Sequence, residues 1–72
     1  MMGPVEKAIL ESIYQSDTPV GTRELFLGIE KRGFQQSEAF PMIDSLEDRG
    51  YIMFSRSVWH ITKEGIELLT KN

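Results

Sequence analysis

The run from Ser37 to Ile52, SEAFPMIDSLEDRGYI, leaves this chain little choice of local structure. With Ser37 as an N-cap, Ala39, Ile43 and Leu46 recur at i, i+4 and i+7, which places three apolar side chains on one face of a helix. Gly50 stands where such a helix stops, and Arg49 just before it supplies a favourable cation in the last turn. Pro41 is expected in the first turn, where amide hydrogens lack an intrahelical acceptor and a missing N–H is tolerated. Tyr51-Ile52-Met53-Phe54 is too apolar and aromatic for a loop and favours a strand. Helix, glycine and strand follow one another, and the other elements must pack around them.

Seventy-two residues permit one domain, 1–72. A domain of this size buries only about 60% of its unfolded surface, so each large apolar residue counts. No run approaches the roughly 18 apolar residues of a membrane span. Met1-Met2-Gly3-Pro4 is soon followed by Glu6 and Lys7, which does not match a signal peptide. With no cysteine there is neither a disulfide framework nor thiolate chemistry, which suits a cytoplasmic location. The net charge is −3, from 8 Lys+Arg against 11 Asp+Glu, and the cations are spread along the chain. That balance argues mildly against tight nucleic-acid binding, although a local patch matters more than the sum.

Pro4 to Ser16 is the expected first helix, with proline suited to its first turn. Val5, Ile9 and Ile13 make its main stripe, with Ala8 on one edge and Leu10 and Tyr14 on the other. That face is wider than a single contact needs. Either a small domain buries most of this helix, or Leu10 and Tyr14 form a contact surface for a second copy or another partner. Asp17-Thr18-Pro19 breaks the helix, and Val20 with Gly21 could add a very short strand. Thr22 reads as the N-cap of a second helix in which Leu25, Phe26 and Ile29 face inward and Leu27 outward, with Gly33 as its stop. Phe34-Gln35-Gln36 links it to the third helix by a short connection of helix-turn-helix type. Val58 to Ile61 is a second strand, joined to the first by Ser55-Arg56-Ser57, with Trp59 and Ile61 on one face. Phe54 and Trp59 are expected in the core beneath this hairpin. Thr62 caps a last helix containing Ile66 and Leu69. The expected class is α+β, mainly helical: three helices, a two-stranded hairpin and one short helix.

Three segments resemble the winged helix-turn-helix regulators of the PadR type. Arg23-Glu24-Leu25-Phe26-Leu27-Gly28-Ile29 is similar to that family's second helix. Phe40-Pro41-Met42-Ile43-Asp44-Ser45-Leu46-Glu47-Asp48-Arg49-Gly50-Tyr51-Ile52 resembles its aromatic-Pro-x-Leu-x-x-Leu-Glu-x-x-Gly-x-Ile run. Val58-Trp59-His60-Ile61-Thr62-Lys63-Glu64-Gly65 looks like the segment that closes its wing. The resemblance implies a dimeric transcriptional repressor whose third helix enters the major groove and whose wing touches the neighbouring backbone. Relative to that family, the wing carries Arg56 as its one permanent cation. The chain is expected to be a short form without the long C-terminal dimerisation helix.

On this reading the partner is double-stranded DNA, with a further protein partner or a weak homodimer as candidates, and there is no membrane association. The groove would meet Gln35, Gln36, Ser37, Phe40, Pro41 and Ser45, where amide and hydroxyl groups suit base edges. Phosphates would meet Thr22 and Arg23 at the start of the second helix, and Arg56 with His60 at the wing. The competing class is a protein-interaction module that does not bind DNA directly, because residues 37 to 49 set four acids against Arg49. Acidic side chains accept from cytosine N4 but repel phosphates. His60, the one histidine, has no cysteine or second histidine to share a metal with, and no nucleophile elbow or phosphate loop is present. Neither a cofactor nor enzymatic activity is expected.

Overall fold

The spacing of apolar residues sets the core. A computed structural model describes residues 2–71, and the elements run α1 Pro4–Tyr14, α2 Thr22–Lys31, α3 Gln36–Asp48, β1 Ile52–Ser55, β2 Val58–Ile61 and α4 Lys63–Thr70. Ile9 and Ile13 of α1, Leu25 and Ile29 of α2, and Ala39, Ile43 and Leu46 of α3 meet in one buried cluster. Each set repeats at helical spacing, so each helix presents a single stripe. Val20 and Ile52 close the cluster from the sheet side, while Leu68 and Leu69 of α4 pack against its edge. The result is a compact, mainly helical α+β fold of four helices and a two-stranded antiparallel sheet.

Leu10 is fully buried and belongs to this core, which bears out burial of the first helix's wide face and corrects the alternative that placed Leu10 on a partner surface. A chain this short uses nearly the whole apolar arc of its first helix, and Tyr14 is left 46% exposed at the end of it. The first helix stops at Tyr14 rather than Ser16, with Gln15 as C-cap.

Two helix starts also differ from expectation. Gly21, not Thr22, is the N-cap of α2, and Gln35, not Ser37, is the N-cap of α3. At α3 the capping partner is the Glu38 carboxylate, which accepts the Gln35 N–H at 3.0 Å. An acid in the first turn thus reaches back to the N-cap amide, as in a capping box, and its charge suits the positive end of the helix. Pro41 consequently falls inside α3 as its sixth residue rather than in the first turn, and the Ser37 carbonyl finds no amide four residues on.

The stop at Gly50 is as the sequence implies. Its φ of +81° suits glycine, the Gly50 N–H donates to Glu47 O at 3.0 Å, and the Tyr51 N–H donates to Leu46 O at 2.9 Å. These two bonds are the Schellman pair that satisfies the last carbonyls of a helix.

The first strand begins at Ile52 rather than Tyr51, and the hairpin pairs Ile52 with Ile61, Met53 with His60, Phe54 with Trp59 and Ser55 with Val58. Alternation puts Ile52, Phe54, Trp59 and Ile61 on one face. Arg56 and Ser57 make the turn with φ of +54° and +64°, the pattern of the tight primed turns, without the usual Asn-Gly. Thr62 does cap α4, accepting the Gly65 N–H at 3.1 Å, and its hydroxyl also bonds back to the Gly50 and Tyr51 carbonyls.

Candidate functional site

The hairpin is tied to the start of α2. The Trp59 N–H donates to the Val20 carbonyl at 2.7 Å, and the Trp59 indole N–H donates to the Thr22 hydroxyl at 3.2 Å. Val20 thereby bridges to β2, as its short extended stretch suggested. A side chain at Gly21 would lie 3.8 Å from the Ser57 carbonyl, so the hairpin tip sits beside the N-terminus of α2. Thr22, Arg23 and Arg56 are all exposed in this neighbourhood. Arg56 and His60 also line one open cleft of about 460 Å³ with Thr18, Pro19 and Val20.

Helix α3 presents the rest. With Ala39, Ile43 and Leu46 turned inward, the spacing leaves Ser37, Pro41, Asp44 and Asp48 on the outward ridge, all exposed. Gln35 and Gln36 are exposed at its start. Ser45 is half-buried on the flank near Arg49, whose guanidinium donates to the Ser45 carbonyl at 3.2 Å. Of the expected groove residues, Gln35, Gln36, Ser37, Phe40 and Pro41 therefore share the open side of α3, and Ser45 lies at its margin.

The cations divide into two groups. Arg49 pairs with Glu6 at 2.6 Å and lies over the Tyr51 ring, 5.4 Å from its centroid. Arg32 is drawn to Glu11 at 3.7 Å and donates to Gln15 at 2.9 Å. Arg23 and Arg56 enter no ion pair among the described residues. The Glu6 carboxylate accepts from the Gly3 N–H at 2.8 Å and from Arg49 at 2.6 Å. The Gly3 backbone N–H, and then the Arg49 side chain, hold its carboxyl below the usual glutamate range.

The chain matches no protein-family model, curated protein or solved structure.

One feature of this face was not legible in the sequence. Phe40 and Phe54 stand 57% and 45% exposed, and together with Phe26 and Trp59 they line a cleft of about 270 Å³ between α3 and the hairpin. Phe26 and Phe40 have ring centroids 5.4 Å apart, and Phe54 and Trp59 4.8 Å apart, both tilted. Asp44 and Glu47 share the lining. Phe54 is thus a wall of an open cleft, which corrects its expected place in the core. It does face inward by strand alternation and packs against the Trp59 ring, but it is only partly covered there. The available signal was the i, i+4, i+7 relation of Phe40, Asp44 and Glu47, one step off the buried stripe. Among the described residues, no group of three His, Asp or Glu side chains could hold a metal ion, and no helix is long and apolar enough to cross a membrane.

Proposed function

We propose that this chain is a winged helix-turn-helix of the PadR type that binds double-stranded DNA as a cytoplasmic transcriptional regulator. In this reading α2 and α3 form the helix-turn-helix and β1–β2 the wing. One observation carries it: the start of α2 and the hairpin tip lie side by side, with Arg23 and Arg56 both exposed and in no ion pair among the described residues. Recognition helices insert their N-terminal residues, and here those are Gln35, Gln36 and Ser37, with donors and acceptors suited to base edges. Thr22 and Arg23 at the helix start, with Arg56 and His60 on the wing, would meet phosphates.

Fluorescence anisotropy with genomic duplex fragments tests the reading. Non-specific affinity of order 10⁻⁴–10⁻⁶ M is expected at physiological salt, with tighter binding to an operator. Arg23→Glu and Arg56→Glu should each weaken binding to every duplex, whereas Gln36→Ala should act on some sequences only. No binding at tens of micromolar protein in low salt would sink the proposal.

A second reading, a winged-helix protein-interaction module, is favoured by the acids on the outward side of α3, Asp44, Glu47 and Asp48. Its mark is a partner that survives nuclease treatment in a pull-down while duplex binding is absent.

A further inference from the structure

The core does not need Phe40 or Phe54. Ala39, Ile43 and Leu46 already bury the inner face of α3, and Ile52 does the same for β1. Both phenylalanines instead stand in water as opposite walls of the cleft, with Phe26 and Trp59 packed behind them and Ile43 at its base. Clustered exposed aromatics on a small domain mark an interaction surface, and aromatic pockets are where binding energy concentrates.

Charge selects the occupant. Asp44 and Glu47 both line the cleft, and no cation does. Arg49, the nearest basic residue in sequence, is turned to Glu6 and Tyr51. A phosphate backbone or an anionic lipid surface is repelled by such a rim, and a second copy of a chain with net charge −3 gains little from it. At about 270 Å³ the cleft falls just under the range of roughly 300–1,000 Å³ typical of small-molecule sites, so it suits one anchoring side chain rather than a whole helix.

We propose that the cleft between α3 and the hairpin docks a short segment of a partner protein, with an apolar side chain seated between Phe40 and Phe54 and an adjacent Lys or Arg paired with Asp44 and Glu47. The proposal does not rest on DNA binding. It shares Thr22 and Phe40 with the face assigned to the duplex, so segment and duplex compete wherever both bind.

A library of short random peptides displayed on phage, panned against the folded chain, tests it. Enriched sequences are expected to place an aliphatic or aromatic residue within a few positions of Lys or Arg. A synthetic copy of the best, free of tryptophan, is then titrated while the emission of Trp59, the one tryptophan, is followed. Phe40→Ala should weaken binding about tenfold or more. Asp44→Asn with Glu47→Gln should weaken it at low salt and flatten its salt dependence. All three side chains are exposed, and the carboxylate pair keeps the test decisive should Phe40→Ala unfold the chain.

No enrichment, an acidic or uncharged consensus, or wild-type affinity in the acid double variant overturns the proposal. So does a duplex that perturbs Trp59 in a Phe40-dependent manner and binds better to the acid double variant, because the cleft is then a DNA surface. Arg23→Glu and Arg56→Glu separate the two ideas, since they should impair duplex binding and spare the peptide.

Discussion

A methyl group added at Gly65 would collide with the Tyr51 carbonyl and with Cγ1 of Ile61. The Tyr51 carbonyl cannot easily retreat, because it accepts from the Thr62 amide at 3.1 Å and faces the Thr62 hydroxyl at 3.0 Å. Gly65→Ala should therefore destabilise the fold by about 1–3 kcal/mol in urea unfolding, the usual cost of overpacking, although alanine is the better helix former by about 1 kcal/mol. An unchanged midpoint would mean that α4 is free to shift. Glu6 gives a residue-scale prediction in pH. Its folded pKa is depressed by the Gly3 amide and by Arg49, so it stabilises the fold above the ordinary glutamate value of about 4.3. That contribution is lost as the pH falls through the lower, folded value. Glu6→Gln should flatten the acid limb of a stability-against-pH curve and leave the slope near neutrality unchanged.

At the scale of elements, α3 is the helix with an internal cost. Pro41 removes one helical bond and crowds the Ser37 carbonyl, a penalty of up to about 3 kcal/mol in a helix interior. Pro41 is exposed, so its ring contributes little packing in return. Pro41→Ala should stabilise the chain by about 1–3 kcal/mol, and at about 4–8 °C per kcal/mol for a domain of this size calorimetry would register it readily. A fall in melting temperature would show that the ring is packed after all. The order of elements was legible in the sequence because three apolar stripes, two glycine stops and the Thr62 cap each point to one local structure. The helix starts were less legible. Serine and threonine advertise caps, but Glu38 satisfied the start of α3 from inside the helix, and Thr22 was taken by the Trp59 indole from a distant strand. No local signal carries a partner 37 residues away. Periodicity leaves Leu10 open between core and partner surface and puts Phe54 in the core for a related reason: it says which way a side chain faces, not whether anything covers it.

For the whole molecule, charge is the property that separates the readings. Few free cations flank the face proposed for DNA, Arg23 and Arg56 among them. With about 2 phosphates neutralised by Arg23 and Arg56, log K should fall with log salt at a slope near −2, by the rule of about −0.9 per phosphate. A slope much steeper than this, read from anisotropy across a salt series, would require cations beyond this face. The same sparse charge explains why the candidate site was only half legible. Its polar members are the ones that the resemblance to a helix-turn-helix implies, whereas the aromatic cleft arises only when α3 and a folded hairpin stand side by side.

The hairpin is held unequally. Along β2, Val20 and Thr22 both fasten Trp59, while the outer edge of β1 lies opposite no further strand among the described residues, and the turn holds two non-glycine residues in left-handed geometry. Opening should then begin at the tip and peel β1 away first, leaving β2 docked. In hydrogen exchange the β1 amides that pair with β2 should lose protection well below the free energy of global unfolding, while the Trp59 amide, bonded to Val20, should persist almost to it. A partner that adds a strand or a phosphate to this corner would be felt first as a slowing of that local motion.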